Sequence, residues 1–170
     1  TKLNEDLLAL RELGQVEEIW STTPADGRRV QSWLIRPPGF DPAKKYPLIL
    51  EIHGGPHTNY GPRFAAELQL FAAAGYNVLF SNPRGSTNYG EKFLRANVND
   101  WGGGDYRDIM TGIDALVARG IADPDRLALI GWSYGGYMTA WSITQTARFK
   151  AAMVGAGLTN LWSMYGTNDI

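Results

Sequence analysis

Cysteine is absent from the 170 residues, and histidine occurs only twice. Without cysteine the chain can build no disulfide framework, no thiolate nucleophile and no zinc–thiolate cluster. No metal or cofactor is expected. An excess of charge of either sign is also missing: 16 Lys and Arg face 17 Asp and Glu, for a formal net charge of -1. With no basic run besides, nothing would gather a polyanion, so nucleic acid is not an expected partner. Long apolar runs are lacking too, and the opening Thr1-Lys-Leu-Asn-Glu-Asp6 has neither the basic flank nor the hydrophobic stretch of a signal peptide. A membrane is therefore not expected either. Compartment stays open, because an absence of cysteine suits both the cytosol and many exported bacterial proteins; a cytoplasmic setting is the favoured expectation.

What is present is enough for one folded domain with a core: 44% of residues are hydrophobic and 19% charged. Residues 1–14 read as a connector from a preceding module, with Leu7 to Leu13 a short helix or tail stopped at Gly14. Val16 to Ser21 and Val30 to Arg36 read as a hairpin around Asp26-Gly27. Pro47 to Ile52, Tyr76 to Ser81, Arg126 to Ile130 and Lys150 to Val154 are short apolar runs of the kind that form buried strands. Between them lie helical patterns. Phe64, Leu68, Phe71 and Ala72 mark a helix over 64–74 capped by Gly75, and Ile109, Ile113, Leu116 and Val117 mark another over 105–119 stopped by Gly120. A third runs from about Tyr134 to Thr146. Alternating strands and helices predict an α/β fold, with a mainly parallel sheet and the antiparallel hairpin at one edge. Functional loops should gather at the carboxyl ends of the strands.

One such loop carries Gly131-Trp-Ser-Tyr-Gly-Gly-Tyr137, directly after an apolar run. A nucleophile on a sharp strand-to-helix turn needs glycine two residues before and after it, because strand and helix cross too closely for a Cβ. Ser133 is the candidate nucleophile. The pentapeptide alone is weak evidence in a chain of 20 glycines, where it also arises as a tight structural turn. Its placement between strand and helix gives it weight. A second glycine pair, after His53, sits where hydrolases of this architecture keep half of an oxyanion hole. Backbone N–H groups of Gly55 and Tyr134 are the candidate donors, since Pro56 has no N–H to give; the competing reading of Gly54 and Gly55 is a plain turn.

The remaining polar candidates are weaker. His53 precedes Ser133, whereas the triad order on this fold is Ser, acid, His, so His53 is expected to hold the oxyanion loop instead of acting as the base. His57 reads as a loop or substrate-rim residue, and Asp169 as a loop acid. Arg84 is expected to fix its loop through nearby carbonyls, with a direct substrate role as the alternative. Asp105 and Asp108 read as first-turn acids that satisfy free N–H groups of a helix. Trp162 and Tyr165, three apart, could share one face of a short helix, lining an apolar pocket or packing in the core.

Taken together, Ile52-His-Gly-Gly-Pro-His57, Asn82-Pro-Arg-Gly-Ser-Thr-Asn-Tyr-Gly90, Trp101-Gly and Gly131-Trp-Ser-Tyr-Gly-Gly-Tyr-Met-Thr139 resemble the prolyl oligopeptidase family of serine peptidases, especially its acylaminoacyl-peptidase branch. The resemblance covers about residues 15–170. It implies an α/β-hydrolase catalytic domain behind an N-terminal β-propeller, cleaving short or N-acylated peptides through an acyl-enzyme on Ser133. It also implies oxyanion binding by the N–H groups of Gly55 and Tyr134, and matches Trp162 and Tyr165 to an aromatic pair in the pocket for the residue before the scissile bond. The family's acid and histidine come well downstream of the elbow, and no histidine follows Ser133. Residues 15–170 are therefore expected to be the N-terminal part of the catalytic domain, nearly inactive alone, with an unpaired sheet edge and a C-terminal remainder as its missing partner. Homo-oligomerisation stays open. The alternatives are an esterase-type α/β-hydrolase and a non-catalytic truncated product with a binding or regulatory role.

Overall fold

The computed structural model describes residues 4–168. A short helix, α1 (Glu5–Ala9), buries none of its residues. It leads into a hairpin of β1 (Val16–Thr22) and β2 (Arg29–Ile35). There follow β3 (Tyr46–Ile52), α2 (Ala66–Ala73), β4 (Asn77–Asn82), α3 (Glu91–Leu94) with a 3-10 turn at Arg95–Asn97, and α4 (Gly104–Ala118). The chain then runs through β5 (Ala122–Trp132), α5 (Tyr134–Gln145), β6 (Phe149–Gly155) and α6 (Leu161–Thr167).

The six strands form one sheet in the order β1-β2-β4-β3-β5-β6. Strands β4, β3, β5 and β6 are parallel, and the hairpin joins them antiparallel through β2 against β4. This is the mainly parallel α/β arrangement with an antiparallel edge that the sequence pattern predicts. The central strands are mostly buried, with apolar runs at Leu48–Leu50, Val78–Phe80 and Leu127–Ile130, because both faces of the sheet are covered. On one face Leu34, Leu50, Leu79 and Leu129 pack with Ile109, Ile113 and Leu116 of α4 and Met138 of α5. On the other, Ile35, Val78 and Phe80 meet Leu68 and Ala72 of α2. Val78 and Leu79, adjacent in β4, thus serve opposite layers, as the strand's period of two requires. Burying each such side chain contributes about 1.5–3 kcal/mol. At the far edge the picture changes: residues 150–154 of β6 are exposed, Met153 and Val154 among them.

Several expectations need correction. Phe64 does not join its predicted helix, which starts after an extended Ala65, and its ring stays exposed. Strand β5 starts four residues earlier than expected, because Asp123-Pro-Asp-Arg126 is accommodated as an irregularity between the pairs Tyr46–Ala122 and Leu48–Leu127. The turn is real, with Asp123 Oδ1 accepting the Asp125 N–H, yet the sheet resumes on both sides of it. Helix α3 and its 3-10 extension had no expected counterpart. Asp169 lies outside the described residues.

Candidate active site

Sharp crowding shapes the turn between β5 and α5. A Cβ on Gly131 would lie 2.3 Å from Gly135 O, and one on Gly135 would lie 2.0 Å from Ile52 O. Neither contact is tolerable, so both positions require glycine. Ser133 between them holds φ 59 and ψ -120, a region that L-residues avoid at a cost of about 1–3 kcal/mol. It is locked there from both directions: its N–H donates to Gly155 O of β6 at 2.9 Å, and its C=O accepts the Tyr137 N–H at 3.0 Å. A serine at the start of a helix commonly spends its hydroxyl as a cap. Here the side chain accepts no capping bond from α5 and remains half-buried and available.

The loop after β3 comes directly against this turn. A Cβ on Gly54 would meet Ser133 Cβ at 3.3 Å and lie 3.9 Å from Ser133 Oγ, so the backbone of Gly54 runs beside the hydroxyl. Gly55 has φ 112, where a side chain would be strained, and a Cβ there would also meet His57 N at 2.5 Å. The Gly55–Pro56 peptide is cis. Among the described residues, no protein acceptor is bonded to the N–H of Gly55 or of Tyr134.

Tyr134 itself is fully buried beneath the turn. Its hydroxyl donates to Asp105 Oδ2 at 2.5 Å, and the ring of Trp101 stands edge-on to it at 4.9 Å. Burial, and then the charge of Asp105, push the phenol far above its ordinary range, so it stays a donor. Burial likewise raises the Asp105 carboxyl, against the bonds it receives from Tyr134, Tyr106 and Gly102. Asp105 thus does serve N–H groups at the start of α4, as expected, and it also anchors the residue following Ser133.

His53 is 5% exposed. Its Nδ1 lies 2.6 Å from Gly54 O and its Nε2 lies 2.9 Å from Ser86 Oγ, so both ring nitrogens are engaged within the loops after β3 and β4. Burial lowers its pKa. His57 is exposed and, with Pro56, Asn97, Val98, Trp101, Tyr137 and Leu161, lines a cavity of about 630 Å³. Arg84 does fix its loop, but through carboxylates and not the expected carbonyls: it is buried and bound to Asp108 and, through Nη1, to Asp26 at 3.0 Å. Asp108 is correspondingly no helix cap. Its carboxylate, 0% exposed, is consumed by Arg84 and by Thr23 Oγ1. Trp162 and Tyr165 lie on α6 at 90% and 94% exposure, so core packing does not hold for them. Sequence reasoning missed Ser86 and the Asp105–Tyr134 bond, whose partners stand 33 and 29 residues apart.

Comparison with known proteins identifies the family. Residues 62–170 match the model of the prolyl oligopeptidase family. The uncharacterized peptidase YuxL of Bacillus subtilis is 44% identical over the whole of this chain, and dipeptidyl-peptidase 5 of Schizosaccharomyces pombe is 34% identical over 99% of it. In each case the chain spans 26% of the relative's length. Among solved structures, an acylaminoacyl peptidase in complex with Z-Gly-Gly-Phe-chloromethyl ketone superposes with a TM-score of 0.93 at 33% identity, covering all of this chain and 27% of that one. The uncomplexed acylaminoacyl peptidase of Pyrococcus horikoshii gives 0.92 at 33% identity over the same shares. No helix among the described residues is long and apolar enough to cross a membrane. With an α/β-hydrolase sheet, a glycine-walled turn around Ser133 and a matching family model over most of its length, the chain belongs to the prolyl oligopeptidase family.

Proposed function

We propose that Ser133 is the nucleophile of a serine peptidase that hydrolyses short or N-acylated peptides through an acyl-enzyme, within a protein longer than these 170 residues. The observation that carries this reading is the conformation of Ser133: a strained backbone at a strand-to-helix turn, with its hydroxyl free of capping and the Gly54 backbone alongside. A carbonyl carbon attacked by Ser133 Oγ would develop charge on its oxygen. The unbonded N–H groups of Gly55 and Tyr134 are the donors proposed to receive it, each worth about 3 kcal/mol or more to the transition state. That a relative was solved with a blocked tripeptide chloromethyl ketone supports a short N-blocked peptide as substrate.

The general base and its acid lie outside residues 1–170 in this reading. His53 has both nitrogens committed, and His57 is a rim residue of the neighbouring cavity. Residues 15–170 form the N-terminal part of the catalytic domain, and residues 1–14 connect it to a preceding module such as a propeller; relatives about four times as long are in keeping with this. Trp162 and Tyr165, open to solvent on α6, are the proposed apolar contacts for the substrate residue before the scissile bond.

The test is hydrolysis of an N-acylated peptide anilide by the full-length protein, with and without Ser133→Ala. The substitution should lower kcat on the order of a millionfold, as loss of a triad serine does. A fluorophosphonate should add its mass at Ser133. Full-length protein that hydrolyses the anilide equally well with Ser133→Ala overturns the reading.

A further inference from the structure

We propose that His53 and Ser86 form a positioning relay that aims the Gly55 N–H at the reacting carbonyl oxygen, with Ser86 donating to His53 Nε2 so that the His53 proton on Nδ1 is given to Gly54 O. The inference rests on the oxyanion role of Gly55 argued above. Gly54 C=O and Gly55 N–H are the two ends of one planar peptide unit, so a bond that fixes the carbonyl fixes the direction of the N–H. His53 Nδ1 makes that bond at 2.6 Å.

A proton count assigns the donors. Three short contacts run in series: Gly54 O to His53 Nδ1, His53 Nε2 to Ser86 Oγ at 2.9 Å, and Ser86 Oγ to Pro83 O at 2.7 Å. A neutral imidazole and one hydroxyl supply two protons between them. Burial disfavours the imidazolium that would supply a third. Gly54 O and Pro83 O, at the two ends of the series, can both only accept, so one of the three contacts carries no proton. Pro83 O already accepts the Ser86 N–H at 3.0 Å, whereas Gly54 O has no backbone donor among the described residues, so Pro83 O yields the hydroxyl proton: the imidazole proton sits on Nδ1, and Nε2 accepts from Ser86 Oγ. The opposite tautomer would instead leave the shorter contact, Nδ1 to Gly54 O at 2.6 Å, without a proton. Ser86 is itself fully buried, so no solvent competes for its hydroxyl.

Asparagine places its amide nitrogen where Nδ1 of histidine sits, whereas glutamine reaches the Nε2 position. In the full-length protein, His53→Asn should keep kcat within about threefold, while His53→Gln should lose on the order of 100-fold with KM little changed, as for removal of one oxyanion donor. Ser86→Ala should lower kcat about 5- to 10-fold with His53 present and leave it unchanged when His53→Asn is present, because the amide needs no partner to hold its proton. Thermal melts identify any variant that fails to fold, and the Ser86→Ala pair then decides. Equal losses for the Asn and Gln variants, or a Ser86→Ala effect independent of residue 53, overturn the relay. Should Ser133→Ala leave hydrolysis intact, the nucleophile assignment fails first, and the two failures are thereby told apart.

Discussion

Arg84 gives three N–H groups, those of its backbone, Nε and Nη2, to the single buried carboxylate of Asp108, each at 2.8 Å. The pair ties the loop after β4 to α4, and Asp26 extends it to the hairpin. Ser86 lies two residues beyond Arg84, so the same ion pair steadies the far end of the His53 contact. Burial makes the arrangement strongly asymmetric in its response to mutation. Asp108→Asn removes the fully buried anion and leaves the guanidinium only the partly exposed Asp26 as a charged partner, at a cost of about 3 kcal/mol, whereas Arg84→Met combined with Asp108→Leu should cost clearly less. Urea unfolding of the protein and both variants measures the difference. A double variant as unstable as the single one would contradict the account.

The strain at Ser133 predicts a gain from its removal. Ser133→Gly should raise stability by about 1 kcal/mol, since glycine occupies φ 59 and ψ -120 freely. Gly131→Ala and Gly135→Ala should lower it by about 3 kcal/mol or more, because their Cβ atoms would strike backbone and not a movable side chain. Denaturation midpoints compare all three, and a destabilised Ser133→Gly would refute the strain.

Asp105 should leave a signature in the pH dependence of stability. Burial raises its carboxyl, so the folded protein holds the proton to higher pH than the unfolded chain does. The associated stability is complete below the unfolded value and is lost as pH rises through the folded one. Stability of the wild type relative to Asp105→Asn should therefore decline as pH rises above about 4, the ordinary aspartate value. A difference that stays flat as pH rises, read from unfolding at each pH, argues against a raised carboxyl.

Trp162 and Tyr165 separate stability from substrate binding. Alanine at either exposed position should change unfolding free energy by no more than about 0.5 kcal/mol. In the full-length protein the same variants should raise KM for peptide anilides several-fold. Unchanged kinetics in both would remove them from the substrate pocket.

The elements legible in the sequence are those set by local pattern. Alternating glycine around Ser133, the apolar runs of β3 and β4 and the helical spacing of Ile109, Ile113 and Leu116 each express a rule that acts within a few residues. The start of β5 escaped because Asp123-Pro124 reads as a turn, and only pairing with β3 shows that the sheet absorbs it. In the sequence Asp108 reads as a cap, because first-turn acids usually are. Its partner arrives from a loop 24 residues away, and the direction in which a helix faces that loop is a tertiary fact. The same holds for Ser86 against His53: a serine within a glycine-rich loop carries no local mark of the ring it will meet.

The strand order sets a timetable for synthesis. Ile52 pairs with Gly131, about 80 residues later in the chain, and ribosomes add about 5–20 residues each second. Strand β4 is complete at Asn82, about 50 residues before Gly131, so for roughly 2.5–10 s β3 exists beside β4 with its other edge bare, awaiting a neighbour not yet made. During that interval the Gly54 loop has no serine to face. Any helper that shields nascent chains would have its greatest effect on this protein in those seconds, and slow codons between β4 and β5 would prolong the exposure.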